Sequence, residues 1–323
     1  MSTEVTTGRS PTQDVVVNRQ GEVTRRFINK QYYNFDGWTI AITKSTILPS
    51  SCYCHLLNKD LADSSIVESS GVQENGGGNG SLGGESKSEP QVCHVCRYNS
   101  ELSITHLPEM IFPDNVLRVT FAESNFTLEF NALDALKLIS NAPEALHVAF
   151  AKEWKAAQDG GPLPGEIRYD WTFSTDYKGT VTSQSVESQP DYRTEEKLNM
   201  EKLKQRENIL FYEELSLYED ELHDNGTSNL SVKIRVMPSG FFILQRFFLR
   251  VDSVMAKICD TRVHYEAGNK YILREFQERK QAADKLSHLP PQTFTDANLL
   301  YPHLTVISEQ TDKISLNLHR ARH

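Results

Sequence analysis

Four of the five cysteines in this 323-residue chain fall in two close pairs, Cys52-x-Cys54 followed by His55, and Cys93-His94-x-Cys96. Thiolate is a soft ligand, and two such pairs can surround one zinc ion tetrahedrally; C-x2-C is the spacing of zinc knuckles. A metal there would staple the ends of the segment between the pairs. Against it, Cys52 and Cys54 have a single residue between them, and the intervening stretch is long and poor in apolar residues. Reduced thiols are the preferred reading. Cys52, Cys54, Cys93 and Cys96 remain weak metal candidates, and no cofactor is expected. The N-terminal residues show no apolar core of a secretory signal, which agrees with thiols that stay reduced.

Catalytic signatures are lacking. The chain holds no nucleophile elbow, no H-E-x-x-H and no kinase motif set. The glycines at 76–84 have no G-x-x-x-x-G-K-[ST] pattern, and they read as flexible linker rather than phosphate loop. His223-Asp224 is an acid/base pair by type, but neighbours on a strand point apart, so a solvated turn is expected. Asp170 and Asp176 flank one strand, an ordinary occurrence in an acidic chain.

What remains is binding chemistry. In the block 169–177, Tyr169, Trp171, Phe173 and Tyr177 share one side of an alternating strand, with core roles preferred for Trp171 and Phe173. Tyr177 and Lys178 lie past the strand end beside Gly179, where side chains face solvent and can meet a partner. Arg235, Arg246 and Arg250 sit on otherwise apolar strands. Such guanidinium groups either snorkel at an edge or clasp a carboxylate in bidentate fashion.

These residues need a scaffold, and the hydrophobic patterning supplies one. Residues 1–25 are polar and aperiodic and read as a disordered arm. A strand over Phe35–Ile42, within a folded stretch 26–62, requires a partner beyond the Gly/Ser-rich insertion 63–100, which includes ENGGGNGSLGGESKSEP. The main domain covers 101–291. It begins with a hairpin of Val116–Phe121 and Phe126–Phe130, followed by a helix opening at Asp134 and another over Ala142–Ala157. Strands follow at Tyr169–Thr175 and Val181–Val186, then a charged helix over Thr194–Arg206. Ile209–Leu222 fits helix or strand, and the Asp224-Asn225-Gly226 turn favours a hairpin. Alternation at Leu230–Val236 and the runs Phe241–Val251, Val254–Ile258, Arg262–Tyr265 and Tyr271–Phe276 give an antiparallel meander, with helices over one face. Residues 292–323 are a weakly ordered tail. The expected fold is α+β: an antiparallel, sandwich-like β-sheet core flanked by helices, in one domain.

Composition narrows the partners. With 43 acidic against 34 basic residues and net charge −9, the chain builds no basic face for nucleic acid. No run approaches the ~18–20 apolar residues of a membrane span.

Several blocks of unusual composition carry a resemblance. They are FDGWTIAITKS at 35–45, LPEMIFPDNVLRV at 107–119, FNALDAL at 130–136 and YDWTFSTDYKGT at 169–180. EKLKQRENILFYEELSLYEDELHDNG at 201–226, SVKIRVMPSGFFILQRFFLRVD at 231–252, CDTR at 259–262 and YILRE at 271–275 continue it. They resemble the TIPRL family, regulators in TOR signalling that bind catalytic subunits of type 2A protein phosphatases. The resemblance implies an α+β fold without catalytic activity and a cleft for the phosphatase's C-terminal tail. It also implies a monomer in the cytoplasm and nucleus, with the phosphatase's associated regulatory protein as a further partner. Asp134 and Asp260 match acidic positions tied to phosphatase binding, and Leu198 and Ile258 fall where the family has other apolar residues. The insertion is not part of the family pattern.

A tail ending in an apolar residue and a free carboxylate needs a cation beside an apolar surface. Lys178, Arg235 and Arg246, with Met237 nearby, are the expected lining; Asp176, Tyr177 and Arg250 complete the candidate set. Asp260→Asn is expected to lower phosphatase capture without unfolding. The alternatives are a metal-dependent hydrolase using the cysteines or aspartates, and a scaffold for another phosphatase-associated protein.

Overall fold

Alternation of buried and exposed side chains builds two antiparallel sheets that share one core. The computed structural model describes residues 10–17, 23–52, 54, 93–104, 106–139, 171–182 and 193–316. The first sheet holds β1 (Ser10–Val17), β2 (Val23–Phe35), β3 (Trp38–Lys44), β5 (Val116–Phe121), β6 (Phe126–Asn131) and β7 (Thr180–Thr182), in that order. The second runs β13 (Thr305–Ser315), β12 (Tyr271–Ala282), β11 (Met255–Glu266), β10 (Gly240–Val251), β9 (Gly226–Met237), β8 (Phe211–Asp220) and β4 (Met110–Ile111). The described helices are short: α1 (His94–Glu101), α2 (Ala132–Lys137), α3 (Met200–Leu203), α4 (Ala283–Leu286) and α5 (Ala297–Leu300). The α+β class and the antiparallel meander are as the sequence patterning indicates, with strands dominant.

Trp38 marks where the sheets meet. It is 1% exposed and packs on Phe121 and Phe126 of its own sheet and on Phe241 and Tyr265 of the other, at centroid distances of 5.1–6.0 Å. The strand before the insertion does pair beyond it: Trp38 lies opposite Phe121 and Ile40 opposite Val119. The expected single strand Phe35–Ile42 is instead a hairpin. Asp36 and Gly37 both take positive φ, 45° and 80°, the geometry of a two-residue turn matching strand twist. That dipeptide was a legible signal.

Other differences have local causes. The arm contains β1, which pairs with β2 from Ser10 opposite Lys30 to Val17 opposite Val23; its Val15-Val16-Val17 run suits a strand. The end of the insertion contains α1, because Val95 and Tyr98 find apolar cover. In the 169–177 block, residues from Trp171 form an irregular crossing rather than a strand, and Phe173 at φ 53° breaks the alternation; Tyr169 and Asp170 lie outside the described residues. The charged helix shrinks to α3, since the Thr194 amide donates to the Thr311 carbonyl at 2.9 Å and Arg193 bridges to Asp312, holding the chain extended. Val254–Ile258 and Arg262–Tyr265 merge into one strand, β11.

The tail is not weakly ordered up to Leu316. β13 extends the second sheet, and the Asp312 carboxylate, 6% exposed, accepts from Arg274 at 2.8 Å. One face of the meander is covered by the other sheet rather than by helices. Its outer face carries a smaller cluster of Phe248, Ala256, Ile258, Leu286, Leu300 and Leu304. The expected helix Ala142–Ala157 and the end of Val181–Val186 lie outside the described residues.

Candidate functional site

Two sheet edges come together where the irregular 171–179 crossing enters β7. Tyr177 anchors that crossing. Its hydroxyl donates to the Glu129 carbonyl at 2.9 Å and meets the Thr180 hydroxyl at 3.0 Å, while its carbonyl accepts from Gln245 at 2.8 Å. It is therefore buried, 2% exposed, and not the solvent-facing contact expected from its position past a strand. Burial pushes its hydroxyl pKa up, so it stays a neutral donor.

Anchoring Tyr177 turns its two neighbours outward. Asp176 and Lys178 line a groove of about 500 Å³ with Arg193, Phe276, Glu278 and Glu309 of the facing strands. The Lys178 ammonium lies 4.5 Å from the centre of the Phe276 ring, a cation held over an aromatic face. Of the three acidic groups lining the groove, Glu278 pairs with Lys257 at 3.1 Å and Glu309 with Lys197 at 2.6 Å, while Asp176 stands beside Lys178. Hydrogen bonds from Lys197 and Gln277 hold the Glu309 carboxyl below its usual pKa, so it remains charged and occupied. Among the described residues Lys178 forms no ion pair, which leaves it open to an external carboxylate. The groove runs beside β13, the last strand of its sheet, where Val306 and Ile307 are 41% and 58% exposed. Residues 193–194 already pair with the β13 edge at Thr311 and Asp312, and the stretch of β13 before these two is where an edge strand can present unpaired backbone groups to another extended chain.

Asp134 connects to this site through one side chain. Its carboxylate accepts from Thr180 and, at 3.0 Å, from Asn131, which also caps α2 by accepting the Asp134 amide at 2.8 Å. The other side of Asp134 borders a cavity of about 600 Å³ with Lys30, Arg97, Tyr98, Asp114 and Arg118.

The remaining candidates lie on the outer face of the second sheet and do not converge on the groove. Arg235 lines a hollow of about 220 Å³ with Tyr212, Lys233, Phe242 and Leu244, and donates to the Leu203 carbonyl at 3.2 Å. Met237 and Leu198 are buried, 4% and 5% exposed. Ile258 sits in the small outer cluster. Arg250 bonds Asp252 at 2.8 Å and the Phe294 carbonyl at 2.9 Å.

Arg246 and Asp260 are each other's partners. The guanidinium grips the fully buried carboxylate with two bonds of 2.7 and 2.8 Å, and Arg262 adds a third at 2.9 Å. Arg262 also pairs with Glu275 at 2.7 Å. Burial alone would lower the Arg262 pKa, but Asp260, Tyr301 and Glu275 raise it. Arg246, Arg262 and Arg279 stand around the Tyr301 ring at 5.5, 5.6 and 4.2 Å. Arg246 thus already clasps an internal carboxylate, and Asp260 is fully buried beneath two guanidinium groups rather than open to a partner. Residue type could flag these arginines; only the register of β10 against β11 shows that they are spent internally.

Reasoning from the sequence also missed Arg193 and Phe276, the two residues that complete the groove around Lys178. Neither carries a motif, and they meet only because β12 and β13 fold beside the 176–178 turn. His223 and Asp224 are exposed turn residues in left-handed geometry, φ 53° and 63°, as the solvated-turn reading implies. The four cysteines of the two pairs come together, with all four sulfurs within 4.8 Å of one another.

Comparison with known proteins gives one family. The model of the TIP41-like family matches residues 110–287. A human TIP41-like protein is 46% identical over 216 residues, covering 66% of this chain and 79% of its own. A Caenorhabditis elegans TIP41-like protein is 38% identical over 72% of this chain and 82% of its own. The type 2A phosphatase activator TIP41 of Saccharomyces cerevisiae is 35% identical over 67% of each. The paired sheets, the tethered 171–180 crossing and these matches agree with the resemblance carried by the sequence blocks: the chain belongs to the TIP41-like family.

Proposed function

We propose that this protein is a non-catalytic regulator of a type 2A protein phosphatase and holds the extended C-terminal tail of the catalytic subunit in the Lys178 groove. Two relatives, from Saccharomyces cerevisiae and Schizosaccharomyces pombe, are named type 2A phosphatase activators, which supports the partner class. The observation that carries the binding mode is Lys178, stacked on Phe276 beside the β13 edge and in no ion pair among the described residues. The tail lies along β13 by strand addition. Its last apolar side chain covers Phe276, and its terminal carboxylate meets Lys178 with Arg193 alongside. The setting is TOR signalling in the cytoplasm and nucleus.

Free-acid and methyl-ester forms of the same tail peptide test this directly. A hydrogen bond to a charged group contributes about 1.5–3 kcal/mol, so esterification is expected to weaken binding about tenfold or more. Lys178→Glu is expected to remove most of that difference, measured by fluorescence anisotropy at moderate ionic strength. Equal affinity of both peptides for the wild-type protein would exclude carboxylate recognition here.

A further inference from the structure

We propose that Cys52, Cys54, Cys93 and Cys96 form a structural zinc site that clamps the ends of the insertion and fixes α1 on the domain. The short sulfur contacts cross between the two sequence pairs: Cys52 to Cys96 at 3.1 Å, Cys54 to Cys96 at 3.6 Å and Cys52 to Cys93 at 3.6 Å. A tetrahedron of Zn–S bonds of about 2.3 Å has edges of about 3.8 Å, close to these values. A disulfide would isolate one pair at about 2.05 Å, whereas here Cys52 and Cys96 each approach two other sulfurs.

The local backbone shapes the cluster. Cys93 is the N-cap residue of α1 and Cys96 lies one turn on, so C-x2-C places both sulfurs on one side of the helix start. Two amides point at sulfur: Cys54 N–H to Cys52 at 3.4 Å and Cys93 N–H to Cys54 at 3.2 Å. Such donors stabilise thiolate charge. Leu48 and Val95 pack around the group.

The donor set selects the ion and its role. Four sulfurs favour zinc over magnesium or calcium, which prefer oxygen. His94 is not a fifth donor, since its imidazole contacts Asp114 at 3.1 Å. With every tetrahedral position taken by protein, no place is left for a reactive water, so the site is structural and does not support the hydrolase alternative. The two objections from sequence also weaken. Cys52-x-Cys54 needs only to present its two sulfurs to the same centre. The length of the intervening segment matters little, because closure entropy grows slowly with loop length.

Fixing α1 has a consequence for the rest of the fold. Arg97 and Tyr98 of this helix line the cavity shared with Asp134, and Tyr98 is buried in the main core. Binding the metal releases the thiol protons to solvent and stabilises the docked helix.

The test uses the full chain, purified without a histidine tag or chelator. Elemental analysis is expected to give about one zinc per chain, and cobalt exchange to give the visible absorption of tetrahedral thiolate coordination. Cys93→Ser/Cys96→Ser is expected to lose the metal entirely. If that variant does not fold, zinc content and the cobalt spectrum of the wild-type chain decide the matter. Substoichiometric zinc, stoichiometric iron in place of zinc, cysteines joined as disulfides, or wild-type zinc content in Cys52→Ser/Cys54→Ser would each overturn the assignment. None of these readouts depends on phosphatase binding.

Discussion

Asp260→Ala is expected to lower the free energy of unfolding by about 3–5 kcal/mol, the usual cost of removing one partner from a buried ion pair. The carboxylate is fully buried and accepts three charge-assisted bonds, two from Arg246 and one from Arg262. Both arginine side chains are also largely buried, 14% and 13% exposed, so water cannot replace what the substitution removes. Arg262 would keep Glu275, but Arg246 would keep only its 2.8 Å bond to Asn298 and the Tyr301 ring face. Urea unfolding of the isolated protein measures the loss, and a change below about 1 kcal/mol would show that the network adds little. Asp260→Asn keeps an acceptor oxygen but loses the charge, so it too should destabilise, by a smaller amount. The domain is still expected to stay folded in this variant, with phosphatase capture lowered. Any loss of capture at this position must be read on protein shown to be folded.

Trp38→Ala should cost a similar amount, about 3–5 kcal/mol, from lost burial and the cavity left behind. Its indole contacts four aromatic rings drawn from both sheets, so no single strand can move in to fill the space. The turn just before it is also tied across the core: the Asp36 carboxylate accepts from the Tyr265 hydroxyl at 2.7 Å and the Gly268 amide at 2.8 Å. The prediction thus tests whether the segment ahead of the insertion is integral to the domain. A shift in the urea midpoint with unchanged slope is the expected result. A loss under about 1 kcal/mol would mean that β3 docks only peripherally.

The amino-acid sequence by itself determined the strands whose period is unmistakable. Leu230–Val236 alternates cleanly and Phe241–Val251 is too apolar for an exposed strand; Phe35–Ile42 did need a partner across the insertion, although the single strand expected there turns at Asp36-Gly37. Those patterns are local, and backbone geometry with side-chain burial fixes them wherever they occur. The same blocks were distinctive enough to indicate the family. Tertiary structure decided everything that depends on what lies opposite. Tyr177 looked like a surface contact until β6 and β10 supplied partners for its hydroxyl and carbonyl. Arg246 looked like a carboxylate clasp, and register placed its carboxylate, Asp260, directly across on β11. Thr194–Arg206 has helical character, but the edge of β13 offered its first residues strand-like pairing instead. The cysteine pairs, separated in sequence by residues 55–92, acquired a shared centre only when α1 docked beside Cys52 and Cys54. Spacing reports which groups can meet along one element; whether distant groups do meet is set by how the sheets pack, which no local pattern encodes.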